Sequence, residues 1–153
     1  MSHILLHHLY REQLVHRPLD EVFEFFSEAA NLELITPPWL SFRMADAASV
    51  EMRAGTQLEY RLRLHRVPVR WVSRIALWEP GRRFVDVQIT GPYRVWRHRH
   101  EFEPRGQTTV VRDHVEYALP FGLFGALAHA VFVERDLARI FDFRRDAVAR
   151  LLG

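Results

Sequence analysis

Cysteine is absent from the 153 residues. Disulfides, thiolate metal sites and cysteine nucleophiles are therefore excluded, and stability has to come from packing. Lysine is absent as well, so all 21 basic side chains are arginine, set against 19 acids for a formal net charge of +2. The arginines are interspersed with the acids along the whole chain. Nucleic-acid binding needs basic groups gathered on one surface, so no nucleic-acid partner is expected.

Long apolar runs are also missing: none approaches the roughly 20 residues needed to cross a bilayer. The opening MSHILLHHLYREQL lacks the charged start, unbroken apolar region and small-residue cleavage site of a secretory signal. We expect a cytoplasmic protein without membrane insertion. With only 7 glycines there is no phosphate-cradling loop, and no serine stands in a nucleophile-elbow motif. The PFGLFG stretch, with Gly122 and Gly125, reads as flexibility at a helix start.

What the chain does contain is 48% hydrophobic and 26% charged residues, the balance of one soluble domain spanning 1–153. Residues 4–16 have strand composition. Pro18 then opens a short helix to about residue 27 that crowds Val22, Phe23, Phe25 and Phe26 onto one side. Asn31 is placed to cap a second short helix, ended by Pro37-Pro38. Trp39 after the prolines reads as a packing residue.

From there to Leu119 the hydrophobic period is two, with turn signals at Gly55, Pro80-Gly81, Gly91-Pro92 and Pro104-Arg105-Gly106. The pattern predicts an antiparallel meander of about six strands. Beyond Pro120 the period becomes helical through Leu127, Val131, Leu137, Phe141, Val148 and Leu151. The apolar segment FGLFGALAHAVFV (121–133) lacks the arginine rim of an interfacial helix, and we expect it to be buried against the sheet. His129 within it is expected to be accommodated there.

The stretch YRVWRHRHEF alternates sharply. Taking Arg105-Gly106 as the tight turn of the following hairpin pairs His98 with Asp113, Trp96 with Val115, His100 with Val111 and Phe102 with Thr109. One face then collects Trp96, His98, His100, Phe102, Asp113 and Tyr117, while Arg97, Arg99, Glu101, Arg112, His114 and Glu116 go to water. Imidazoles and a carboxylate are costly to bury unless they hydrogen-bond. A His98–Asp113 pair satisfies both partners, either as a self-contained core pair or as the wall of a ligand cavity. On the preceding strand Asp86 and Gln88 share a parity with Phe84. Hydrophobicity alone would turn Val85, Val87 and Ile89 inward instead.

His98-x-His100 with Asp113 or Asp86 has the composition of a two-histidine, one-carboxylate metal set, but that spacing alone is weak. Neither a metal nor a cofactor is expected. As a general acid or base, His98 oriented by Asp113 is the candidate catalytic pair.

The segments FEFFSEAANLELITPPWL, GPYRVWRHRHEFEP and VVRDHVEYALPFG, in that order, resemble the SRPBCC or START-like superfamily over essentially the whole chain. More narrowly they look like its small bacterial polyketide cyclase/dehydrase-like members. The resemblance implies an α+β helix-grip fold: a curved antiparallel sheet of about seven strands around a long C-terminal helix, with two short helices after the first strand. It also implies a cavity for a small hydrophobic or amphipathic ligand, lined from the candidate set Trp96, His98, His100, Phe102, Asp113, Tyr117, Asp86 and Gln88. Ligand binding is the reading favoured over catalysis. A cyclase or dehydratase using the His–Asp pair, and an interaction or cofactor-chaperone module, are the alternatives.

Overall fold

The computed structural model describes residues 4–45 and 50–153. Its elements follow the order β1 (His7–Val15), α1 (Leu19–Ser27), 3-10 turns at Ala29–Ile35 and Pro38–Leu40, β2 (Arg43–Met44), β3 (Gln57–Leu64), β4 (Val67–Glu79), β5 (Arg83–Thr90), β6 (Val95–Arg105) and β7 (Thr108–Ala118). A continuous helix then closes the chain as α2 (Leu123–Ala128), a π-helical turn (His129–Val133) and α3 (Glu134–Leu152). The seven strands form one antiparallel sheet in the order β1-β7-β6-β5-β4-β3-β2. This is the helix-grip architecture.

Each element has a local cause. In α1, Pro18 stands at the N-cap with extended geometry and Asp20 and Glu21 occupy the first turn, where acids favour the helix dipole. Val22 and Phe26, four residues apart, are its buried stripe. Asn31 does not cap the next turn: Glu28 is at that position, and the Asn31 side-chain amide donates to the Phe25 carbonyl at 2.8 Å instead. That bond seals the C-terminal end of α1.

The sheet curves because β4 is long and irregular. Its pairing with β5 shifts between Val72 and Ser73 and again between Ile75 and Leu77, and each shift bends the strand. The concave face receives α3 through Leu137, Phe141, Ala147 and Val148, all buried. Ala147 and Val148 share one apolar cluster with Val22 and Phe26 of α1 and with Phe84, Phe102 and Val111 of the sheet.

Two further expectations are corrected. The β6–β7 turn is Gly106-Gln107, so Arg105 pairs with Thr108, His98 with Val115, His100 with Asp113, Trp96 with Tyr117 and Phe102 with Val111. Gly106 has φ 63°, the left-handed geometry a two-residue hairpin needs at its first turn position, which an arginine there would adopt at a cost. The slip is two residues, so every side chain keeps its predicted face.

Second, the segment 121–133 is not buried. Leu123, Phe124, Leu127, Val131 and Phe132 are exposed, because α2 packs chiefly on the π-helical turn that follows it and not on the sheet. Gly125 is the point of contact: a Cβ there would collide with the Pro120 carbonyl oxygen, so this glycine serves close packing, not flexibility. Trp39 does pack, edge-on against Phe143 and beneath the Arg139 guanidinium on α3, while staying about half exposed.

Candidate functional site

Between the concave face and α3 lies a cavity of about 190 Å³. Its walls are mostly apolar, from Leu58, Leu62 and Ile75 of the sheet, Phe25 and Phe26 of α1, and Ile140 of α3. Four polar side chains matter in that lining: Asp86, His98, Arg144 and Ser73.

Asp86, His98, His100, Asp113 and Arg144 form one connected cluster at the wall. β5 brings Asp86 directly opposite His98, and β7 brings Asp113 directly opposite His100. Each imidazole ignores the carboxylate opposite and takes the diagonal one. His98 Nε2–H donates to Asp113 Oδ1 at 2.7 Å, and His100 Nε2–H donates to Asp86 Oδ2 at 2.7 Å. The crossing lets the two rings stack at 3.6 Å between centroids, with Phe84 on the outer side of His100 at 4.1 Å. From α3, Arg144 Nη2 lies 3.3 Å from His100 Nδ1 and 3.6 Å from Asp113 Oδ1.

These contacts fix protonation states. Burial pushes both carboxyls up, but their partners outweigh it. The nearby Arg144 charge and the His98 hydrogen bond hold Asp113 well below the usual carboxylate range, and the His100 hydrogen bond, with His98 and Arg144 close by, lowers Asp86. For His100, burial and the neighbouring His98 and Arg144 outweigh the attraction of Asp86 and lower its pKa to about 4. His100 is therefore neutral at pH 7, its Nδ1 lone pair facing the guanidinium. With the Nε2 proton of His98 committed to Asp113, Nδ1 is the atom left for other work. Among the described residues it has no hydrogen-bond partner.

Asp86, His98 and His100 each offer a ligand atom within 4.8 Å of the others, enough in principle to hold a divalent ion. Both Nε2 atoms already carry protons toward carboxylates, however, and a guanidinium stands beside His100. Charge and proton placement fit a hydrogen-bonded network better than a metal centre.

Of the residues singled out from sequence, Trp96, His98 and Asp86 border the cavity. His100 and Asp113 stand behind them as hydrogen-bond partners. Phe102 packs against Phe23 and Phe26. Tyr117 turns its hydroxyl to His129 Nε2 at 2.8 Å, outside the cavity lining. Gln88 spans the β5–β6 turn, donating to the Tyr93 carbonyl at 2.6 Å and accepting the Tyr93 N–H at 3.1 Å.

Sequence reasoning missed Arg144, although its place three residues after Phe141 and four before Val148 puts it on the apolar stripe of α3. An arginine there needs a buried acid. It also missed a second polar group, in which Ser73 Oγ accepts from Trp71 Nε1 at 2.9 Å and bonds the Tyr60 hydroxyl at 2.9 Å. Burial keeps the Tyr60 phenol protonated well past its ordinary range. Ser73 shares a parity with Trp71 and Ile75, a polar interruption of an apolar face.

Comparison with known proteins agrees with this architecture. Zhui aromatase/cyclase from Streptomyces sp. R1128 superposes with a TM-score of 0.76 at 17% identity, covering 97% of this chain and 94% of that one. Norcoclaurine synthase from Thalictrum flavum, in complex with a transition-state analogue, gives 0.72 at 15% identity over 99% and 97%. At these identities the likeness is one of fold. No curated protein matches the chain. No described helix is long and apolar enough to cross a membrane. Residues 15–142 match the model for polyketide cyclase/dehydrase and lipid transport proteins, and the chain belongs to that family.

Proposed function

We propose that the chain binds a small, mainly apolar molecule of one or two rings between the sheet and α3, held in register by Asp86, His98 and Arg144. The observation that carries this reading is the conjunction of an apolar cavity of about 190 Å³ with an ionic cluster at one wall. An engineered apolar cavity of about 150 Å³ accommodates benzene, so the space suits a modest ring system and is small for a drug-sized ligand. Asp86 and His98 Nδ1 offer acceptors and Arg144 offers donors, so the fitting ligand carries a hydroxyl or amine near one end. The family and the two enzymes of similar fold support hydrophobic ligands in general. Native mass spectrometry of protein purified from its own host tests the reading: a retained molecule lost on blocking the cavity supports it, and bare protein binding no apolar probe contradicts it.

A catalytic reading is favoured by one specific feature. Asp113 pins Nε2 of His98 and leaves Nδ1 free on a residue of the cavity wall, the arrangement of an oriented general base. On this reading His98 takes a proton from the ligand and Asp113 stabilises the resulting imidazolium, as a cyclisation or dehydration requires. Turnover unchanged in His98→Ala and His100→Ala would rule it out.

A further inference from the structure

The cavity does not account for the segment that begins at Phe121. Phe121, Leu123, Phe124, Leu127, Val131 and Phe132 are between 51% and 88% exposed within twelve residues of chain. Allowing about 150–250 Å² for each large side chain, six at this exposure present roughly 900 Å² of apolar surface. The largest apolar patch on a typical monomer is about 300–600 Å². Neighbouring structure extends the patch: His7 at the start of β1 stacks on His129 at 3.5 Å, and Leu5 just before it is exposed.

Phe121 adds a second observation. Its φ of 73° lies in the left-handed region, costly for an aromatic residue, and it holds the ring out in solvent. The side chain gains no burial from that geometry inside its own domain.

We propose that this face, Phe121 to Phe132 with the start of β1 at its margin, is the self-complementary interface of a two-fold homodimer. The area decides first: a stable complex takes about 800 Å² from each partner, which this patch supplies. Charge decides second. Residues 121–133 contain no Asp, Glu or Arg, so two copies meet without like-charge repulsion, and the formal net charge of +2 opposes association little. The same lack of basic groups deprives an anionic lipid surface of its usual contacts. A two-fold axis places one patch on its own copy, as an isologous contact requires.

Sedimentation velocity on the full chain tests this. Wild type is expected to sediment as a dimer at micromolar concentration. Leu123→Glu with Phe124→Glu is expected to weaken association about a hundredfold or more while leaving the circular dichroism spectrum unchanged, because both side chains are exposed. The absence of cysteine allows an independent check: a single Leu127→Cys is expected to cross-link into covalent dimers on mild oxidation. A wild type that stays monomeric at all soluble concentrations overturns the proposal. So does a dimer indifferent to the glutamates, or a monomer that floats with neutral phosphatidylcholine vesicles, which assigns the patch to lipid.

Discussion

His98 reaches Asp113 along a diagonal of the β6–β7 pair: its Cα partner is Val115, yet its Nε2 lies 2.7 Å from Asp113 Oδ1. His100 makes the mirror choice toward Asp86 on β5. Two imidazoles and two carboxylates are thus interlocked across three strands, and Arg144 closes the set from the helix.

Removing Asp113 strips this network of a central acceptor. Asp113→Ala leaves the His98 Nε2–H unpaired and takes from Arg144 its nearest carboxylate, leaving it only the neutral His100, at an expected cost of about 3–5 kcal/mol. Asp113→Asn keeps an acceptor carbonyl and is expected to cost less, about 1–3 kcal/mol. Urea unfolding at neutral pH measures both, and equal small losses for the two variants would mean that the network does little for the fold.

Acid should attack the same cluster in two stages. His100 falls from 6.5 to about 4 on folding, so between those values the unfolded chain binds a proton that the folded chain refuses. Stability therefore rises with pH across that window. It is complete above 6.5 and lost as pH falls toward 4, a contribution of roughly 3 kcal/mol. Asp86 and Asp113, both lowered, add stability that is present above the ordinary aspartate value near 4 and lost below it. Urea midpoints from pH 4 to 7 should slope less in His100→Asn than in wild type, and parallel curves would refute the assignment.

Arg144 is the cation that makes two buried carboxylates tolerable. Arg144→Met keeps much of the packing against Phe26 and Phe141 but removes the charge. The Asp113 pKa should then climb toward its ordinary value, so the variant loses about 2–4 kcal/mol at pH 7 and much less near pH 3. A loss independent of pH would instead assign Arg144 a packing role.

The alternating string from Trp96 to Phe102 made the inner face of β6 legible, because in a strand every second side chain shares a surface. Parity survived the misplaced turn, since a slip of two residues preserves it. The Cα register did not survive, because only the positive φ of Gly106 places the turn, yet the expected His98–Asp113 pair forms all the same, reached along a diagonal. Asp86 ran against the hydrophobic rule for β5, and it faces inward because His100 satisfies it there. Arg144 was hidden in a helix whose other buried positions are apolar. The segment 121–133 misled for a different reason: apolar composition shows that a surface seeks cover, not that its own domain provides it.

On the proposed function a ring-sized ligand occupies the cavity and is held by the cluster at its wall. Isothermal titration with 2-naphthol, a two-ring hydroxyl probe, tests it most directly on wild type, Ile140→Trp and Asp86→Ala. Ile140 lines the cavity from α3, and a tryptophan there fills the space. Wild type is expected to bind saturably, Ile140→Trp not at all, and Asp86→Ala about tenfold more weakly, through the loss of one charge-assisted hydrogen bond. No binding to folded wild type, or equal binding to all three proteins, would contradict it.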